Sequence, residues 1–398
     1  MRKEGQLPTK IPLPILLFLC ARVPLLLALP FDGLRGYGDL PHYYFLGQIP
    51  GLPYIHYWSE YPPLFPFLIE ALYALSGGVE HTFTYLLVAV LLAADIGSVI
   101  LFTRLEKLLY PRNPNQSGGG NSTWRLLLYA VALGGLPYAW WYFDSLAVFF
   151  LMLALYLGLR GARSVSLGAV LSLGILTKLF PVLILPALAK VLPPRRTATI
   201  VVVAVGLFVL PVLILYAISP EFTRASLTAT GMRSSYATVW ALFDGNLTVG
   251  GYGPMVHRLD PTMEGIPQRN GPVIPPMLTL AGFGGLGLYV WLRARLETPA
   301  QITAFAGLTV ALFFIWSPGW SPQWVLFLLP LALLVVPLSP GLLLVVMLVL
   351  VNLLEWPLLL SRGLFNTLPL TILLRLFLLG LLGWMFYQET TRSSISHT

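Results

Sequence analysis

The sequence predicts an all-α polytopic membrane protein, and two observations support this fold class. Of its 398 residues, 57% are hydrophobic and only 10% are charged, whereas soluble domains are about 25% charged. Its apolar runs are long and unbroken, as over residues 200–215, while a transmembrane barrel would show short alternating strands. A soluble protein is excluded because one water-facing core could not bury so much apolar surface.

A helix needs about 20 apolar residues to cross a bilayer, and most of the runs match that length. Two stretches, 125–160 and 164–192, are too long for one span and break near their middle, at 137–144 and 178–181. Each therefore predicts a pair of short helices. Together with these pairs, twelve spans are expected, the others lying at 11–30, 83–104, 197–218, 272–292, 300–317, 321–338, 339–358 and 365–388.

Residues 62–75 are apolar but short, and they begin with two prolines. If they crossed the membrane, the basic run 104–125 would move to the side opposite the other basic loops. The excess of Lys and Arg in cytoplasmic loops therefore favours a half-buried or interfacial helix here, with both termini cytoplasmic.

Two long loops are predicted on the outer face, outer loop 1 (about 31–82) and outer loop 2 (about 219–271), within one integral membrane domain over 1–398. They hold most of the acidic residues. The formal net charge of +8 indicates contact with membrane lipids rather than with nucleic acid. Function is expected on the outer face, because long loops commonly carry binding and catalytic residues.

Outer loop 1 contains two candidate carboxylates. Asp39 lies between Gly38 and Leu40, soon after the first span ends. A carboxylate at this place can act as a general base toward a hydroxyl. The alternative is a solvated aspartate, or one that caps a helix over 40–47. Glu60, before Tyr61, allows the same two interpretations.

Two ionisable residues lie within predicted membrane segments. Lys178, at the break between two short helices, needs an anionic partner because a buried lysine is costly; a lipid phosphate or Asp144 could supply it. Asp95 lies in mid-span, where a pair with Arg22 or Arg375 is the structural alternative to a functional role.

Outer loop 2 combines basic and aromatic side chains, which suits a phosphate and a sugar face. An ordinary interfacial loop with an aromatic belt is the alternative. The basic candidates are Arg233, His257 and Arg258, accompanied by Tyr236, Trp240 and Tyr252. The sequence has no P-loop, zinc-protease or nucleophile-elbow motif and a single cysteine, so no metal site is predicted.

Five segments in this order resemble the GT-C superfamily of polytopic glycosyltransferases, in particular the polyprenol-phosphate-mannose-dependent mannosyltransferases, including those that act on glycosylphosphatidylinositol. The likeness covers most of residues 10–330. The segments are YGDLPHYY at 37–44, GLPYIHYWSEYPPL at 51–64, WYFDSLAV at 141–148, TKLFPVLILP at 177–186 and WSPGWSPQW at 316–324.

The resemblance implies an inverting transfer of a hexose, commonly mannose, from a polyprenyl-phosphate sugar to a lipid-linked or glycan acceptor. Asp39 matches the base, and Lys178 matches a lysine near the donor phosphate. His42 stands where many relatives have a second acid, and Gln323 where they often have histidine. Because the second acid is missing, a divalent cation stays open but is not indicated, and no other cofactor is implied. The substrate-binding candidates are His42, Glu60, Tyr61, Asp144, Lys178, Arg233, His257, Arg258 and Gln323.

Two other functions remain open from the sequence. A secondary transporter of a polar or anionic solute would use the broken helices, although no internal repeat is visible. A non-catalytic scaffold subunit would need none of the site residues. In each case a multi-pass protein is expected, in the plasma membrane of a prokaryote or the endoplasmic reticulum of a eukaryote.

Overall fold

A computed structural model describes residues 12–111, 120–231, 234–248, 251–265 and 269–392. These residues form helices and no strand, apart from isolated bridges, so the predicted all-α class is confirmed. The helices are α1 (Leu13–Ala28), α2 (Phe31–Arg35), α3 (Leu40–Gly47), α4 (Leu64–Leu75), α5 (Glu80–Leu109), α6 (Gly120–Gly135), α7 (Tyr138–Trp141), α8 (Asp144–Leu159), α9 (Ser164–Thr177), α10 (Leu185–Val191), α11 (Pro194–Ile218), α12 (Pro220–Gly231), α13 (Val239–Asp244), α14 (Pro276–Arg293), α15 (Pro299–Trp316), α16 (Val325–Val335), α17 (Leu338–Leu353) and α18 (Leu368–Thr391).

The helices support an integral membrane protein. In the described part of the chain, five helical segments are long and apolar enough to cross a bilayer: Glu80–Leu109, Pro194–Ile218, Pro299–Trp316, Leu338–Arg362 and Phe365–Thr391. Shorter apolar helices and α14 occupy the other predicted spans. Each of the twelve expected segments therefore corresponds to a helix.

Both predicted breaks are present. The first falls between α6 and α8, where only the short helix α7 intervenes. The second follows α9, where Lys178 is extended (φ −160°) before a 3₁₀ turn over Phe180–Ile184. Proline contributes at both places, because Pro137 and Pro181 lack the backbone N–H that a continuous helix needs.

The segment at 62–75 forms α4, which has 12 residues. At 1.5 Å per residue it is about 18 Å long, whereas the hydrocarbon core is about 30 Å thick. Phe65, Ile69 and Leu72 are buried, while Leu64 and Leu75 are exposed. The predicted helix is therefore present with one buried side, and its interfacial placement stays a prediction.

Asp95 forms a buried ion pair with Arg22, with Nη1 and Oδ2 3.1 Å apart. The same guanidinium also donates to the carbonyl groups of Leu133 and Gly134. Arg375, the other sequence candidate, pairs with Glu355 instead. These charges hold helices together inside the bundle, as expected for ionisable groups at membrane depth.

The two long loops meet on one side of the bundle. The Trp58 N–H donates to the Arg258 carbonyl (3.0 Å), and the Ser59 N–H donates to Ser226 Oγ (3.0 Å). Thr223 Oγ1 also donates to the Tyr54 carbonyl at 3.1 Å. Outer loop 2 therefore covers the end of outer loop 1 that carries Glu60.

Candidate functional site

Asp39 is fixed by its backbone at the start of α3. Its N–H donates to the Trp141 carbonyl at 3.0 Å, and its side chain does not cap the helix. A Cβ atom at Gly38 would lie 2.3 Å from Trp141 Cβ and 2.7 Å from the Trp141 carbonyl oxygen. Only glycine fits this approach, so the Gly38-Asp39 pair places the carboxylate beside the break before α8.

Tyr43 lies one helical turn after Asp39, and its hydroxyl donates to Asp39 Oδ2 at 3.4 Å. The ring is fully buried and packs edge-on against Phe65 and Phe143, with centroids 4.9 and 6.0 Å away. Burial, and then the negative charge of Asp39, raise the pKa of Tyr43 well above its usual value. The phenol therefore stays protonated and orients the carboxylate. The sequence analysis missed Tyr43, although its spacing of four from Asp39 was a signal.

Glu60 is bound by two neighbours. Arg258 binds both carboxylate oxygens, with Nη2 2.9 Å from Oε1, and His42 Nε2 lies 2.9 Å from Oε1. Burial alone would raise the pKa of Glu60, but the Arg258 charge and the His42 hydrogen bond outweigh it and bring the pKa below its usual range. Glu60 is therefore a paired anion that joins the two loops, and it is poorly suited to accept a proton.

Lys178 binds Asp144 at the second break, with Nζ 2.7 Å from Oδ1. Asp144 is fully buried, while the Lys178 side chain retains 16% exposure. Aromatic rings enclose the ammonium group: Nζ lies 5.1 Å from the Phe143 centroid, 5.2 Å from Phe180 and 5.9 Å from Trp324. The anionic partner of Lys178 in the structure is thus Asp144, and the lysine side chain is not completely buried.

Two buried acceptors, one on Asp144 itself and one on the neighbour of Trp324 in the sequence, have no hydrogen-bond partner within the described residues. They are Asp144 Oδ2 and Gln323 Oε1, and Gln323 directly precedes Trp324, whose ring faces Lys178. Leaving a buried polar group unpaired costs about 1–3 kcal/mol. A molecule that brings hydroxyl or amino groups would supply the missing donors.

Phe143 connects the two halves of the site. Its ring stacks on Phe65 at 3.8 Å, touches Tyr61 edge-on at 5.2 Å, and faces Lys178. Tyr61 also packs 5.8 Å from Tyr43. Residues from distant parts of the sequence are therefore brought together. We call Asp39, Tyr43, Asp144, Lys178 and Gln323 the outer-face site; all but Tyr43 were predicted from the sequence.

The segment 316–324 is bound to outer loop 2 by a backbone bridge. The Tyr236 N–H donates to the Pro318 carbonyl (3.1 Å), and the Trp320 N–H donates to the Tyr236 carbonyl (3.1 Å). A Cβ atom at Gly319 would lie 2.1 Å from the Tyr236 ring, so this motif also requires its glycine. The bridge fixes the turn that presents Gln323.

The remaining predicted residues lie at the margin. His257 contributes its backbone, since its carbonyl accepts from Trp58 Nε1 at 3.0 Å, and the Trp58 ring lies 4.5 Å from the Arg258 guanidinium. Arg233 lies outside the described residues. Within the described part of the chain, no group of three metal-binding side chains occurs.

Comparison with known proteins gives a likeness of fold. No family model matches the sequence, and no curated protein matches it. Among solved structures, the chain is similar to ArnT from Cupriavidus metallidurans bound to undecaprenyl phosphate, with a TM-score of 0.50 and 16% identity, over 94% of this chain and 77% of that one. This similarity concerns the fold.

Proposed function

We propose that this protein is a membrane glycosyltransferase. It transfers a hexose, with mannose the first candidate, from a polyprenyl-phosphate sugar to a lipid-linked or glycan acceptor on the outer face. The observation that carries the proposal is the outer-face site, in which the ring of Phe143 contacts both Lys178 and Tyr43, the tyrosine that donates to Asp39. The fold shared with a protein solved with undecaprenyl phosphate supports a polyprenyl-phosphate ligand.

The chemistry needs a base on one side of the sugar and a cation on the other. Asp39 accepts the proton of the acceptor hydroxyl, whose oxygen attacks the anomeric carbon from the face opposite the phosphate. The bond from the anomeric carbon to the phosphate oxygen breaks, and polyprenyl phosphate leaves with the electron pair. Lys178 stabilises the charge that develops on this phosphate. Attack from the opposite face inverts the anomeric configuration.

The two buried acceptors support a sugar as the transferred group. Asp144 Oδ2 and Gln323 Oε1 need donors, and the hydroxyl groups of a hexose are donors. Asp144 would then hold Lys178 with one oxygen and the sugar with the other. Tyr61, which is half-buried beside Phe143, provides aromatic surface that suits the apolar face of a sugar ring.

The pairing of Glu60 with Arg258 favours Asp39 as the base. Glu60 is bound by Arg258 and His42, and its pKa is held below the usual range. Asp39 accepts a hydrogen bond from Tyr43 and matches the base of the family that the sequence resembles. A general base works best when it can take up a proton near neutral pH. Of the two carboxylates predicted in outer loop 1, Asp39 is therefore the better base, and Glu60 holds outer loop 2 over the site.

The test uses purified protein in nanodiscs with a panel of radiolabelled polyprenyl-phosphate sugars and a membrane lipid extract as acceptor. We expect turnover of one donor, and a product whose anomeric configuration, read by NMR, is opposite to that of the donor. Folded protein that turns over no donor in the panel would contradict the proposal. In proteoliposomes, solute movement without sugar transfer would indicate a transporter instead.

A further inference from the structure

A second cluster of charged residues lies at the far ends of α5 and α8, away from the outer-face site. Arg104 and Lys107 come from the last turns of α5, and Arg160 directly follows α8. Together with Leu108 and Tyr156 they line a cavity of about 590 Å³. The proposed transfer reaction uses none of these residues.

The positive charges of this cavity are not compensated within the described residues. None of its three cations lies within 4.0 Å of a carboxylate oxygen there. Arg160 Nη1 instead donates to the Tyr156 hydroxyl at 2.9 Å. The guanidinium groups of Arg104 and Arg160 lie 5.9 and 5.7 Å from the centroid of the same tyrosine ring. One neutral ring thus gathers two guanidinium groups that repel each other, an arrangement that an anion would stabilise.

The cavity lies at the level expected for lipid headgroups. From Phe83, near the start of α5, to Arg104 the helix rises by about 32 Å at 1.5 Å per residue, close to the roughly 30 Å thickness of the hydrocarbon core. The basic ends of α5 and α8 belong to the side that the charge bias assigns to the cytoplasm. Arg104, Lys107 and Arg160 are exposed, and Leu108 is half-buried beneath them.

We propose that this cavity binds the phosphodiester headgroup of an anionic phospholipid in the cytoplasmic leaflet. Arginine forks bind phosphate oxygens bidentately, and Lys107 adds a point charge. Basic pockets between membrane helices on this side are suited to such headgroups. The bound lipid bridges α5 and α8, and α8 carries Asp144 at its other end. The site is thus a structural lipid site, independent of the transferase proposal.

The test compares two variants with equal loss of charge. Arg104→Gln/Lys107→Gln/Arg160→Gln removes the cavity cations, and the control Arg163→Gln/Arg195→Gln/Arg293→Gln removes three exposed arginines elsewhere. Delipidated protein is titrated with phosphatidylglycerol, phosphatidylcholine or inorganic phosphate, and binding is followed by native mass spectrometry and thermal shift. We expect phosphatidylglycerol to bind the wild type and the control preferentially, and about 100-fold more weakly to the cavity variant.

Three results would overturn the proposal. In the first, the cavity variant binds phosphatidylglycerol as tightly as the control variant does. In the second, phosphatidylcholine binds the wild type as tightly as phosphatidylglycerol. In the third, inorganic phosphate reproduces the whole stabilisation, which would indicate a site for a free anion.

A second experiment uses only the wild-type protein, so that it still tests the proposal if the cavity variant does not fold. Acylation of Lys107 should be slower in phosphatidylglycerol nanodiscs than in phosphatidylcholine nanodiscs, with Lys190 as the internal reference. Equal slowing of both lysines would contradict the proposal.

Discussion

The Lys178 ammonium lies 2.7 Å from a carboxylate oxygen of Asp144, and this pair joins the two interrupted helix pairs of the bundle. Asp144 begins α8 and Lys178 directly follows α9. Only one oxygen of Asp144 is used within the described residues, and Lys178 keeps some exposure. The pair therefore stabilises the fold and leaves both a cation and an acceptor for a ligand.

Replacement of Lys178 separates these two roles. Lys178→Met should lower the thermal midpoint, because it leaves Asp144 buried without compensation, at a cost of about 3–5 kcal/mol. Adding Asp144→Asn should recover most of the midpoint but not sugar transfer, since the phosphate still lacks its cation. The readouts are thermal unfolding in detergent and initial transfer rates. A double variant with wild-type transfer would show that Lys178 acts only as a structural partner.

Gln323 provides a test in which stability and binding should diverge. Its Oε1 has no partner within the described residues, so Gln323→Leu should leave the thermal midpoint unchanged or raise it. If this oxygen accepts from the sugar, the KM for the donor should rise about tenfold, the effect of one lost hydrogen bond. The measurement is a donor titration beside a melting curve. A lower midpoint with an unchanged KM would assign Gln323 to packing.

Gly38 tests whether the position of Asp39 matters. Gly38→Ala places a Cβ atom against Trp141 Cβ and its carbonyl, and the backbone must move. We expect transfer to fall at least tenfold, because small displacements of a catalytic group are costly. Gly33→Ala is the matched control, since its nearest neighbour would be a Pro30 side-chain atom at 3.4 Å. Equal activity of the two variants would contradict the positioning argument.

The Glu60–Arg258 pair predicts a pH dependence with a defined sign. In the wild type the pKa of Glu60 is lowered, so the pair stabilises the protein at neutral pH and is lost only as the pH falls through that lowered pKa. In Arg258→Met, burial raises the pKa of Glu60, and the variant gains stability as the pH falls. The difference in thermal midpoint between the two proteins should therefore shrink from pH 8 to pH 5. A constant difference over this range would show that Arg258 does not control the ionisation of Glu60.

Much of the fold could be predicted because the bilayer restricts it to apolar helices. The breaks before Asp144 and after Thr177 were visible as prolines and charges within apolar runs. The helix α4 was visible as a short apolar run, and its interfacial placement, which rests on charge bias, stays a prediction. The partner of Asp95 could not be predicted, because Arg22 and Arg375 both lie in the middle of predicted spans and only the packing of the helices distinguishes them.

The site was predictable as a set of residue types but not as an arrangement. The pairing of Glu60 with Arg258 depends on two loops about 200 positions apart, and no local pattern encodes it. Tyr43 was overlooked because a tyrosine near an interface is usually part of an aromatic belt. The unpartnered oxygen of Gln323 is a property of the packed structure alone.

The central claim is that Asp39 is the base of a sugar transfer. The most direct measurement is the initial rate of transfer from the active donor by wild type, Asp39→Asn and Asp32→Asn in matched nanodiscs. Asp32 is the control because its exposed carboxylate lies in the same loop. We predict that Asp39→Asn loses about 10²–10⁴-fold in rate, with donor binding and melting curve retained, while Asp32→Asn stays near wild type. Full activity of a folded Asp39→Asn protein would contradict the account.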